Sequence, residues 1–196
     1  MLWTYTTPGI PDNLFEQLPG IYLTPREIRI LILCALRLEE NSVFWDIGAG
    51  TGTIPVEAGL LCPNGKIIAI ERDEEVANLI RRNCSSFQVK NITVIEGNAP
   101  ECLEDLKPLP DRICIEGGKS IKEILTKVWG KLKPQGRVVL TSGNLEYLYQ
   151  ISEGLSQVQA RQIEIVQASV NRLENKGTSQ VLSAIDPLFI ISAEKI

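Results

Sequence analysis

The chain has 196 residues, 44% of them hydrophobic and 22% charged, with a formal net charge of −4 and no histidine. That balance fits one soluble globular domain; it excludes a repeat or low-complexity protein, and no apolar run approaches the roughly 18 residues that span a bilayer. The acidic total disfavours a long nucleic-acid grip, and the lack of histidine leaves acid–base work to carboxylates, lysine, tyrosine or the substrate itself. The opening Met1-Leu2-Trp3-Thr4-Tyr5 lacks the basic-then-apolar order of a leader, so the expected location is cytoplasmic.

Residues 1–23 carry Pro8-Gly9-Ile10-Pro11-Asp12 and Leu18-Pro19-Gly20, turn formers that predict an irregular arm. One domain over 24–196 follows. Thr24-Pro25-Arg26-Glu27 reads as a helix start, with Thr24 as N-cap, Pro25 at the first helical position and Glu27 closing a capping box. Ile28, Leu31, Ile32, Ala35 and Leu36 recur at helical spacing as its buried face, and the helix is predicted to end near Leu38-Glu39-Glu40.

From Ser42 strand and helix alternate. Strands are predicted at 42–47, 66–71, 92–96, 112–115 and 137–141. Helical segments separate them, one running to Cys62 and stopped by Pro63, the next from Asp73 to about Ser86. This alternation means a parallel, doubly wound sheet with helices on both faces. The end differs: 160–172 and 180–193 are β-rich runs joined by Glu174-Asn175-Lys176-Gly177-Thr178, which predicts an antiparallel hairpin. The expected fold is therefore α/β and Rossmann-like, mostly parallel with a C-terminal hairpin. Cys34, Cys62, Cys84, Cys102 and Cys114 form no C-x-x-C pair and suggest neither a disulfide framework nor a zinc site.

The first strand ends in Asp46 and runs into Gly48-Ala49-Gly50-Thr51-Gly52. A dinucleotide fingerprint would place its third glycine at Thr53, which weakens a nicotinamide reading. Asp-x-Gly-x-Gly-x-Gly suits S-adenosylmethionine, whose amino-acid end is cationic and which has no pyrophosphate. Glu71, at the tip of the second strand and about 20 residues past the glycines, stands where an acid accepts from both ribose hydroxyls.

These residues resemble one family in particular, the decarboxylating carbon-15 methyltransferases of corrin-ring synthesis, which act on precorrin-6B or its cobalt form. The likeness runs nearly end to end. It is carried by Gly9-Ile10-Pro11-Asp12, Thr24-x-x-Glu27-Ile28-Arg29, Trp45 to Gly52, Ala69-Ile70-Glu71-Arg72, Glu96-Gly97-Asn98-Ala99-Pro100 and Leu132-Lys133-Pro134-Gln135-Gly136-Arg137. The chain departs from the family pattern at Ile115-Glu116-Gly117-Gly118-Lys119-Ser120, which has fewer glycines and two charges, and at Asn98, where many members carry an acid.

The resemblance implies S-adenosylmethionine as methyl donor, with S-adenosylhomocysteine as product. Thr24, Asp46, Gly48, Ala49, Gly50, Thr51, Gly52, Glu71, Arg72, Asn98 and Ala99 would bind it. It also implies an anionic tetrapyrrole substrate, for which Arg26, Arg29, Gly117, Gly118, Lys119, Arg172 and Lys176 are the candidates. Glu116 is the candidate proton handler for decarboxylation. A homo-tetramer and a separate carbon-5 methyltransferase are the implied partners, with neither nucleic acid nor a membrane. Transfer-RNA adenine or protein carboxyl methylation on the same fold, or an inactive cofactor-binding subunit, are the alternatives.

Overall fold

The computed structural model describes residues 2–118 and 120–196. After an arm containing a 3₁₀ turn at Asp12–Leu14, the order is α1 (Arg26–Leu36), β1 (Val43–Ile47), α2 (Thr53–Leu61), β2 (Lys66–Glu71), α3 (Glu74–Ser86) and β3 (Ile92–Glu96). A second 3₁₀ turn at Glu101–Leu103 precedes β4 (Arg112–Glu116), α4 (Ile121–Lys131), β5 (Arg137–Ser142), α5 (Leu145–Gln157), β6 (Arg161–Lys176) and β7 (Ser179–Glu194).

The strands make one seven-stranded sheet in the order β3-β2-β1-β4-β5-β7-β6. Pairs from β3 through β5 are parallel, and β7 runs antiparallel to both β5 and β6. Alternate strand residues feed two cores. Trp45, Ile47, Ile70, Ile113, Val138 and Leu140 pack under α4 and α5, while Phe44, Ile67, Cys114 and Val139 pack under α1 and α2. No described helix is long and apolar enough to cross a membrane.

Strand order reverses between β1 and β4, and in such sheets the crevice outside the carboxyl ends of the strands at that point takes ligands. The arm reaches this region. Ile10 is fully buried, and Phe15 stacks at 4.8 Å on Phe87 of the loop after α3.

The helix start at residue 24 is a correction. Pro25 holds an extended ψ of 146°, α1 begins one residue later, and no side chain caps it. Thr24 instead donates its hydroxyl to Glu116, at 3.0 and 3.2 Å to the two carboxylate oxygens. The helix also ends earlier than expected, at Leu36, where Arg37 turns left-handed with φ 51°. Its buried face is shifted too, with Leu31 exposed and Arg29 and Leu33 buried in its place. The hairpin is longer than predicted, because pairing continues to Lys176 and Ser179 and leaves only Gly177-Thr178 as the turn.

Candidate active site

Three carboxylates meet at the switch point because of strand register. Asp46 of β1 pairs with Ala69 of β2 and with Cys114 of β4. Glu71 and Glu116 lie two residues beyond those partners, and side chains two apart on a strand share a face. Asp46, Glu71 and Glu116 therefore point to one side of the sheet at its carboxyl edge.

Gly48 turns the chain across them with φ +79°, and a Cβ there would lie 2.4 Å from the Glu116 carbonyl oxygen. Only glycine fits such an approach. Gly50 (φ +51°) donates its N–H to Glu71 Oε2 at 3.1 Å, and the other Glu71 oxygen accepts from the backbone of Arg72 at 2.8 Å and Asp73 at 3.2 Å. The carboxylate is thus aimed before any ligand arrives. Thr51 donates its hydroxyl to the Tyr22 carbonyl at 3.0 Å, so the arm is tied down beside the glycine turn.

Two cavities open here. The larger, about 730 Å³, is lined by Glu71, Arg72, Asn98 and Ala99 among others, and the smaller, about 320 Å³, by Tyr22, Thr24, Ala49, Gly50, Ser142 and Tyr147 among others. Gly48, Glu116 and Gly117 line both, so the two spaces adjoin along these three residues.

Electrostatics reinforces the geometry. Asp46 is fully buried and neither carboxylate oxygen has a hydrogen-bond partner. Burial, with Glu116 and Glu71 nearby, pushes its carboxyl well above the ordinary acid range. Burial likewise raises Glu116 to about 7, although the Thr24 hydroxyl and the Arg29 charge pull the other way. Among the described residues Arg72 is the one lysine or arginine lining either cavity. A crevice lined by Glu71, Glu101 and Glu116 against the single cation Arg72 favours a ligand of net positive charge. An S-adenosylmethionine molecule, whose sulfonium and ammonium charges outweigh its one carboxylate, fits these residues on that ground.

The predicted donor-binding residues fall into two groups. Gly48, Ala49, Gly50, Glu71, Arg72, Asn98, Ala99 and Thr24 line one cavity or the other. Asp46, Thr51 and Gly52 are buried behind the turn and line neither, so they shape the site from beneath. Asn98 spends its amide on Glu101 at 2.8 Å, which leaves its carbonyl free to accept.

Most of the expected substrate cations are not in the crevice. Arg29 is fully buried, giving its guanidinium to Glu57, Asp12 and the carbonyls of Thr24 and Ile10. Arg172 is committed to Glu27 and Asp12, and its hydrogen bonds to Glu27 hold that carboxyl down at about 2. Arg26 pairs with Glu27 at 2.9 Å, and Lys176 sits at the far turn of the hairpin. Lys119 lies outside the described residues, whereas Gly117 and Gly118 do line the crevice. Tyr22, Tyr147 and Ser142 are lining residues that sequence reasoning missed. Ser142 was readable in principle, since it ends a strand whose carboxyl end must face the site.

A doubly wound sheet of this order, ending in an antiparallel hairpin and carrying a glycine turn over strand-tip acids, defines a class I methyltransferase. The chain belongs to the precorrin methyltransferase domain family, whose pattern matches residues 15–195. It is 39% identical over 198 residues to a probable cobalt-precorrin-6B C(15)-methyltransferase (decarboxylating) of Saccharolobus solfataricus, covering 100% of both chains. The crystal structure of a precorrin-6y C5,15-methyltransferase from Geobacter metallireducens superposes with a TM-score of 0.90 at 35% identity, covering 97% of this chain and all of that one. A structure described as precorrin 8w decarboxylase from Methanobacterium thermoautotrophicum gives 0.86 at 29% identity, covering 94% and 98%.

Proposed function

We propose that this chain methylates carbon 15 of precorrin-6B, as its cobalt form or metal-free, with S-adenosylmethionine, and removes carbon dioxide from the ring C acetate. The observation that carries the reading is the shared wall of the two cavities at Gly48, Glu116 and Gly117. A donor space and a reacting space must touch at one point, and here they touch at a carboxyl group that holds its proton near neutrality.

Glu71 would take the ribose hydroxyls, Asn98 and Ala99 the adenine, and Thr24 with the glycine turn the methionine portion. Bound there, the donor supplies an electrophilic methyl group, so the protein's task is alignment rather than activation. A chain without histidine can perform it. Decarboxylation asks for more. As the carbon–carboxylate bond breaks, carbon dioxide leaves, and the electron pair left on the acetate methylene carbon takes a proton from the Glu116 carboxyl. The products are a ring methyl group and ionised Glu116, which recovers its proton from solvent.

In this reading methylation at carbon 5 falls to a separate enzyme. We place the protein in the cytoplasm as a homo-tetramer. The projecting half of the hairpin supports self-association, because Leu173 and Leu182 pair across it and are 61% and 72% exposed. Incubation with the corrin precursor and methyl-labelled donor tests the reaction. One methyl gained and one carbon dioxide lost is the expected mass change, and an unaltered precursor would refute it.

A further inference from the structure

We propose that Tyr147 is a substrate-contact residue, its phenol hydroxyl giving a neutral hydrogen bond to a carboxylate side chain of the substrate in the smaller cavity. The inference rests on the polycarboxylate substrate named above. Four buried side-chain oxygens lack a partner among the described residues: both of Asp46, Oδ1 of Asp111 and Oη of Tyr147. Asp46 and Asp111 line neither cavity, whereas Tyr147 lines the smaller one, and its phenol can donate. An unpaired buried hydroxyl destabilises a fold, and phenylalanine would fill the same space without that cost. The hydroxyl therefore calls for a partner that the described residues do not provide.

Its placement agrees. Tyr147 is in the first turn of α5, beyond the carboxyl end of β5, and its backbone N–H is fixed by Asn144 Oδ1 at 2.8 Å. Gly118 lies across the ring tip, where a Cβ would stand 4.0 Å from the hydroxyl oxygen and 2.8 Å from Ile124 Cδ1. Charge narrows the choice of partner. No described residue lining the smaller cavity is a lysine or arginine, and a cation there would repel the positive methyl donor. A neutral donor binds an acid side chain without that conflict. Burial pushes the phenol up to about 12, so it remains protonated and donating throughout the physiological range.

The test is Tyr147→Phe, read by melting temperature, donor binding in calorimetry, and KM against kcat with the corrin precursor. Expected are a melting temperature equal to or above that of the parent and donor affinity within about twofold. The KM should rise about tenfold or more, with a smaller fall in kcat. An unchanged KM overturns the assignment, and so does a raised KM with a lowered melting temperature, because the hydroxyl would then be structural. Parent turnover is measured first. Its absence strikes the proposed reaction and this inference together, whereas parent turnover with an unaffected variant strikes Tyr147 alone.

Discussion

Glu71 and Glu116 stand at matching strand tips on either side of β1, yet their surroundings differ. Glu71 is held in place by three backbone N–H groups. Glu71→Ala should weaken S-adenosylmethionine binding about 10- to 100-fold, the worth of a charge-assisted pair of hydrogen bonds, with the fold intact. Calorimetry showing unchanged affinity would remove Glu71 from the site. Glu116 is raised from 4.5 to about 7 by burial, and an acid whose native pKa is raised favours the fold below its unfolded value. That contribution fades as pH climbs through about 7. Glu116→Gln should thus be more stable than the parent at about pH 8, by on the order of 1–3 kcal/mol, with the gap closing towards about pH 4.5. The same variant should slow carbon dioxide release about 100-fold or more, and slow methyl transfer less. Equal rates for parent and variant would retire the proton assignment.

At the scale of elements, the arm, α1, α2 and the hairpin are held together by one buried charge network. Arg29 of α1 joins Glu57 of α2 to the arm at Asp12 and Ile10, and Asp12 also takes Arg172 from β6. Replacing Arg29 by methionine strands Glu57, which also accepts from the backbone of Gly9 at 2.6 Å and Ile10 at 3.1 Å. The expected loss is about 3–5 kcal/mol, a fall of order 10 °C in Tm, and a melt within about 2 °C of the parent would contradict it.

Strands and helices were readable from periodicity because each buries a regular face, and β3 falls at the predicted residues. Thr24-Pro25-Arg26-Glu27 misled because it has the residue types of a capping box, while the actual partner of Thr24 is 92 residues away. Arg29 was read as a substrate-facing cation although it follows Ile28 and precedes Ile32 by three, within the apolar face of its own helix. The glycine turn and Glu71 were legible because local spacing fixes them. Tyr147 was not, since an orphaned hydroxyl exists only once its neighbours are in place.

For the whole molecule, net charge and the location of charge point the same way. The arginines expected to face a polycarboxylate are consumed in pairs with Asp12, Glu27 and Glu57, so substrate binding should respond weakly to salt. A steep fall in affinity between low and moderate ionic strength would require a basic patch among the lining residues. The hairpin is the other molecular feature, as its outer half pairs only with itself. Leu173→Lys with Leu182→Lys should lower the mass seen by light scattering from an oligomer towards a monomer while α/β circular dichroism persists.

The methyl-transfer reading depends on the two spaces meeting at Glu116. A crystal structure with S-adenosylhomocysteine and the corrin precursor together examines it most directly. Adenosine in the larger space with its ribose on Glu71, and the precursor's ring C acetate within hydrogen-bond reach of Glu116, is the expected arrangement. Nucleoside bound elsewhere, or an acetate remote from Glu116 with the larger space filled, would contradict it.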